Sequence, residues 1–154
     1  MQLVSTRFGN IEVDDTKAIV FRQGLIGFPD ARRYVLLYPN GRGKVAWLQS
    51  LEVTGLAFPV VDGAMLGNDY PQPTAARLAN EAGIGSTDLA ILVVVAVQKG
   101  VGLIANMLAP LVVDLETRSG AQIVLDPQKY SASAQLSPNA YASANATATA
   151  NAAQ

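Results

Sequence analysis

The sequence predicts a mostly β domain, an antiparallel barrel or sandwich carrying one short helix. Three observations point there. Short segments rich in Val, Ile, Leu and aromatic residues recur along the chain, punctuated by Gly, Pro, Asn and Asp. A single stretch has the start, content and stop of a helix. Residues 88–98 form a nearly continuous Leu, Ile and Val run, which reads as a long central strand buried on both faces.

Taken in order, residues 2–8 alternate moderately and lead into the Gly9-Asn10 turn, and 11–13 follow as a second short strand. Asp14-Asp15 breaks the chain before the apolar strand at 18–21. Residues 24–29 hold two glycines, a proline and the apolar Leu25, Ile26 and Phe28, a loop composition. Residues 33–38 are β formers ended by Pro39-Asn40-Gly41, whose Asn-Gly pair is a strong turn signal. Residues 45–51 and 56–61 continue the series, and Pro59 points to an edge position or a strand end. Pro73-Thr74 opens a helix, 75–82 sustain it and Gly83 stops it, with Leu78 as the apolar anchor against the β structure. After the long strand, Gly100 and Gly102 punctuate a return over 101–107. Residues 111–115 and 121–125 then flank the hairpin-like connection Thr117-Arg118-Ser119-Gly120. Residues 137–154 are uncharged and mostly Ala, Ser, Asn and Thr, with no apolar face to dock. The expected organisation is a β domain over 1–136 and a disordered tail over 137–154.

A length of 154 residues suits one domain with a real core, and half the residues are hydrophobic while 15% are charged. The longest apolar run, 89–97, falls well short of the ~20 residues of a membrane-spanning helix. The first residues lack a basic stretch followed by an apolar one, so no secretory signal is expected. With no cysteine either, a cytoplasmic location is the expectation.

Eleven basic against twelve acidic residues leave a formal charge of −1, a poor basis for phosphate-driven nucleic-acid binding. The chain has neither histidine nor cysteine. That removes the common catalytic triads, thiol chemistry and the usual zinc sites. No enzyme, cofactor or metal is expected.

The motifs that invite chemistry have plainer readings. Gly41-Arg42-Gly43-Lys44 lacks the hydroxyl residue after lysine, and Tyr38 stands where a phosphate loop begins with glycine, so it reads as a basic turn. Asp14, Asp15, Asp62 and Asp69 have no calcium-loop spacing and read as solvated turn carboxylates. Arg32, Arg33, Arg42 and Lys44 surround Tyr34, Tyr38 and Trp47, which would make a stacking platform for RNA if the rings were exposed. That is the alternative function, a small nucleic-acid-binding β-barrel using residues 32–47. Strand alternation sends Arg33 and Val35 to one face and Tyr34 and Leu36 to the other; core rings with solvated cations are the simpler reading.

Two passages join apolar side chains to irregular backbone: 24–29, and Asn106-Met107-Leu108-Ala109-Pro110, where an amide and a proline enter β-forming sequence. Each reads either as a surface open to a partner or as a core plug and a strand kink.

Gln23-Gly24-Leu25-Ile26-Gly27-Phe28-Pro29, Val45-Ala46-Trp47-Leu48-Gln49-Ser50-Leu51 and Ala57-Phe58-Pro59-Val60 follow one another along the chain. Asn106-Met107-Leu108-Ala109-Pro110-Leu111-Val112-Val113 and Gly120-Ala121-Gln122-Ile123-Val124-Leu125 complete the series. In that order and spacing they resemble successive blocks of the FliW family, over residues 3–136. The resemblance implies a compact antiparallel β-barrel-like domain and a role in bacterial flagellum biogenesis. It implies binding to CsrA, relieving translational repression of flagellin messenger, and chaperone-like binding to flagellin, which titrates the factor away. No catalysis, no direct nucleic-acid contact, no membrane and a monomeric state are expected. Met107 and Leu108 stand where the family more usually has Leu followed by a charged or polar residue. The chain is barely acidic, so steric or allosteric displacement is expected rather than repulsion of RNA phosphates. The expected protein-binding residues are Leu25, Gly27 and Phe28 in one loop and Asn106, Leu108, Ala109 and Pro110 in the other. There the glycine allows an unusual backbone angle, the apolar side chains supply burial, and the broken strand leaves hydrogen-bonding groups open.

Overall fold

Side chains alternate across a strand, and here the alternation sorts a largely apolar sequence into an inside and an outside. The computed structural model describes residues 2–5, 8–38, 45–66, 72–81, 83–84 and 88–136. The strands are β1 (Gln2–Ser5), β2 (Gly9–Glu12), β3 (Ile19–Phe21), β4 (Arg33–Leu37), β5 (Val45–Ser50) and β6 (Ala57–Asp62). After the helix α1 (Gln72–Glu81) come β7 (Leu89–Gln98), β8 (Gly102–Ala105), β9 (Leu111–Asp114), β10 (Ser119–Gln122) and β11 (Ala134–Gln135).

Seven strands close a barrel in the order β7-β6-β5-β4-β3-β10-β9 and back to β7. Neighbours are antiparallel except β3 and β10, which run parallel through Ser119 opposite Val20 and Gly120 opposite Phe21. β7 is the corner. Its first half, from Leu89 to Leu92, pairs with β9, and its second half, from Val95 to Gln98, pairs with β8. This double duty explains its ten residues. Ile91, Leu92, Val93 and Val95 are buried and Val94 half-buried, so both faces are covered there, whereas Ala96, Val97 and Gln98 are exposed where the β7–β8 hairpin leaves the barrel.

The interior takes one alternate set, including Phe21, Tyr34, Leu48, Val60, Leu92 and Leu111. β10 contributes Gly120, because the Phe21 ring lies 2.6 Å from where a Cβ would stand. The opposite set faces two outer layers. Ile91, Val93 and Val112 pack under Ala79 and Ile84, so the helix covers β7 and β9 from outside. Val35 packs with Leu3, Val13 and Ala18 beneath the β1–β2 hairpin. Burying each such large side chain is worth roughly 1.5–3 kcal/mol.

The stops follow their sequence signals. Gly83 has φ +91. Its amide bonds Asn80 O at 3.0 Å and that of Ile84 bonds Ala79 O at 2.8 Å, the paired bonds of a Schellman cap. Pro59 faces Trp47 on β5, but the β6–β7 ladder begins only at Val60; the proline marks a strand end on that side. Ser119 and Gly120, expected in the connection, already belong to β10. The Asn-Gly turn at 40–41 and the tail at 137–154 lie outside the described residues. No helix among the described residues is long and apolar enough to cross a membrane.

Candidate partner-binding surface

The loop at 24–29 is a tight hairpin built by its glycines. Leu25 and Phe28 exchange backbone bonds, Phe28 N to Leu25 O at 2.7 Å and Leu25 N to Phe28 O at 3.3 Å. Gly27 follows Ile26 in the turn with φ +89, where an L side chain is strained. Gly24 has φ +67, and a Cβ there would collide with the Phe28 carbonyl oxygen and approach that of Pro29 to 2.6 Å. This geometry turns Leu25 into the core at 5% exposure and leaves Ile26 65% and Phe28 41% exposed.

Phe28 stands on an aromatic row. Its ring meets Phe58 edge-on at 5.6 Å, Phe58 meets Tyr34 at 6.4 Å, and Tyr34 meets Phe21 edge-on at 5.7 Å. Such edge contacts add about 0.5–1.5 kcal/mol beyond area, so Phe28 is held by a rigid support. The Tyr34 hydroxyl is buried without a hydrogen-bond partner among the described residues, and burial, with the Glu52 charge adding, pushes its pKa up to about 12. Beyond the loop, Glu52 Oε1 accepts from Arg32 N at 2.6 Å and Arg33 N at 2.8 Å. Those two backbone bonds hold its carboxyl below the ordinary carboxylate range.

The second loop is fastened inward. Asn106 N donates to Val94 O at 2.9 Å, and Asn106 Oδ1 accepts from Ala109 N at 3.2 Å. Ser131 O takes both Met107 N and Leu108 N, at 3.0 and 3.2 Å, while Leu108 O accepts from Leu125 N. The backbone amides from Asn106 to Ala109, expected to stand open at this break, are therefore paired within the fold. Ala109 and Pro110 are buried; Asn106, Met107 and Leu108 are half-buried.

Gln122, which sequence reasoning passed over, ties the two loops together. Its Oε1 accepts from Ile26 N at 2.7 Å and its Nε2 donates to Ala109 O at 3.1 Å. A lone amide in the otherwise apolar 121–125 segment was the available signal. The seven expected residues thus lie in two loops meeting at one end of the barrel: Gly27 and Phe28 at the surface, Asn106 and Leu108 partly so, Leu25, Ala109 and Pro110 beneath.

The 32–47 region is built differently. Tyr34 lies in the interior, and half-buried Trp47 meets Phe8 edge-on at 5.7 Å. Tyr38 is exposed, and Arg42 and Lys44 lie outside the described residues. The carboxylates serve turns: Asp14 accepts from Thr16 N, and Asp62 from Ala64 N. Asp15 is exposed, and Asp69 lies outside the described residues. Among the described residues no group of three acidic side chains is placed to hold a metal ion.

Fold and site together define a small closed β-barrel that displays an apolar, aromatic-backed turn beside a kinked strand. Residues 2–136 match the family model described as FliW protein, and the chain belongs to the FliW family of flagellar assembly factors. The flagellar assembly factor FliW of Natranaerobius thermophilus is 35% identical over 139 residues, covering 88% of this chain and 92% of the relative. That of Syntrophus aciditrophicus is 32% identical over 136 residues, covering 84% of each. A crystal structure of the flagellar assembly factor FliW superposes with a TM-score of 0.73 at 25% identity, covering 90% of this chain and 98% of that one.

Proposed function

We propose that this chain is a non-catalytic, cytoplasmic regulator that binds CsrA, relieves repression of flagellin translation, and is titrated by flagellin. It acts as a monomer through the barrel at 1–136. Membership of a flagellar assembly family along essentially the whole barrel supports the reading. The observation that carries the site is the exposed Ile26 and Phe28, held outward by two positive-φ glycines and a row of rings. Apolar side chains fixed this way suit protein recognition, because little ordering is needed on binding. The RNA platform loses its central ring, since Tyr34 is fully buried.

Co-purification with the cognate CsrA and flagellin, followed by competition, tests the reading. Each is expected to bind alone, and flagellin is expected to displace CsrA. A stable ternary complex that flagellin does not disrupt would break the switch.

A further inference from the structure

We propose that the partner surface is completed by the free edge of β10, which takes an extended, carboxylate-bearing segment of a partner protein as an added strand. This rests on the protein-binding reading above and deepens it. β10 pairs with β9 along its length but with β3 only at Ser119 and Gly120. Beyond Phe21 the chain turns away, as Gly24 N bonds back to Phe21 O at 2.8 Å. Ile123 N donates to Pro110 O on the β9 side, so alternation aims the amide and carbonyl of Gln122 the other way. Among the described residues no backbone group meets them.

They face an open groove of about 470 Å³ between β10 and the 24–29 loop. Ala121, Ile123 and Ile84 give it an apolar floor, Ile26 stands at its rim, and Arg22 is the one charged residue lining it among those described. An unpaired strand edge that offers one donor and one acceptor selects extended backbone, and pockets beside it select alternate side chains. With no carboxylate among the described lining residues, the Arg22 cation selects an acidic side chain on that segment. Continuity with the Ile26–Phe28 turn puts groove and exposed loop on one surface.

Residue-resolved hydrogen exchange on the full chain tests this, with flagellin, with CsrA, and with a synthetic peptide of alternating Val and Thr bearing one Asp. The expected result is that a binding protein slows exchange of the Gln122 amide at least tenfold. Arg22→Glu, at an exposed position, is expected to weaken that binding about three- to tenfold. Binding that leaves Gln122 exchange and Arg22→Glu affinity unchanged overturns the edge while sparing the partner reading. If neither protein binds, the partner reading falls and the peptide decides. Slowing of Gln122 by the peptide, but not by its twin N-methylated at alternate amides, supports the edge; equal effects or none overturn it. Slowing that depends only on the chain's own concentration assigns the edge to a second copy and also overturns it.

Discussion

Residues 24–29 and 106–110 both interrupt β structure with apolar side chains, yet the first turns outward and the second inward. The difference lies in how each backbone is satisfied. The first loop pairs Leu25 with Phe28 in its own backbone and takes one outside bond, Ile26 N to the Gln122 side chain, while its glycines turn Ile26 and Phe28 outward. The second borrows partners from elsewhere, Val94, Ser131 and Leu125, and is drawn into the fold along with them. A loop that pairs its own ends can present the side chains between them; one whose successive amides are paired by neighbouring segments is drawn in among those segments.

The sharpest way to break this comparison is at Gly24. Gly24→Ala adds a Cβ where φ is +67 and the Phe28 carbonyl leaves no room. The expected cost is about 3 kcal/mol, combining left-handed strain with overpacking. Gly27→Ala also meets positive φ, +89, but open space, and should cost only about 1 kcal/mol. Denaturant unfolding of both variants checks the ratio. Equal losses would mean that the loop relaxes freely and does not hold Phe28 in place.

Binding separates the loops next. Phe28→Ala removes an exposed ring and is expected to weaken partner affinity about tenfold, with unfolding stability changed by less than the Gly24 variant. Leu108→Ala, at a half-buried position, is expected to lose folding stability first and affinity by only about threefold. Titration calorimetry against CsrA and flagellin, beside thermal melts, distinguishes them. A Leu108 variant that loses more affinity than the Phe28 variant reverses the assignment of surface and support.

Gln122 makes the two loops answer to each other. Gln122→Ala strands Ala109 O and frees Ile26 N, at an expected cost of about 1–2 kcal/mol for the lost bonds. Combining it with Phe28→Ala is expected to be non-additive in affinity, because both act on the same turn. Simple addition in the double-mutant cycle would show that the bridge does not position the turn.

Much of this was legible in the sequence. The β segments, the single helix with its glycine stop and the two irregular loops all announce themselves by local signals that the fold obeys, because turns and caps are local physics. Burial was less legible. Strand alternation set Tyr34 and Leu36 on one face, but only the barrel's closure makes that face the interior. The parallel β3–β10 pair and the Gln122–Ile26 bond join residues about a hundred positions apart, and no window of sequence contains both partners. Pairing of the second loop's backbone depends on Ser131, which looks like an ordinary turn serine. Long-range satisfaction of polar groups is what sequence reading missed.

The smallest effect concerns charge. The first loop leads into β4, whose start is held by the Glu52 carboxylate on Arg32 N and Arg33 N, whereas the second is held by amides and carbonyls that do not titrate. Those two bonds lower the folded pKa of Glu52 below its ordinary 4.5. A depressed carboxyl pKa stabilises the fold above the unfolded value, and that contribution is lost as pH falls through the folded one. Glu52 is exposed, so about 1 kcal/mol or less is at stake. Glu52→Gln is therefore expected to be less stable than the parent at pH 7 and indistinguishable from it once the carboxyl is protonated. On acidification of the parent, exchange should quicken at Arg32 and Arg33 relative to its intrinsic rate, while that of Met107 and Leu108 tracks theirs. Equal quickening in both places would mean that the loops share one anchor, and the contrast between them would collapse to exposure alone.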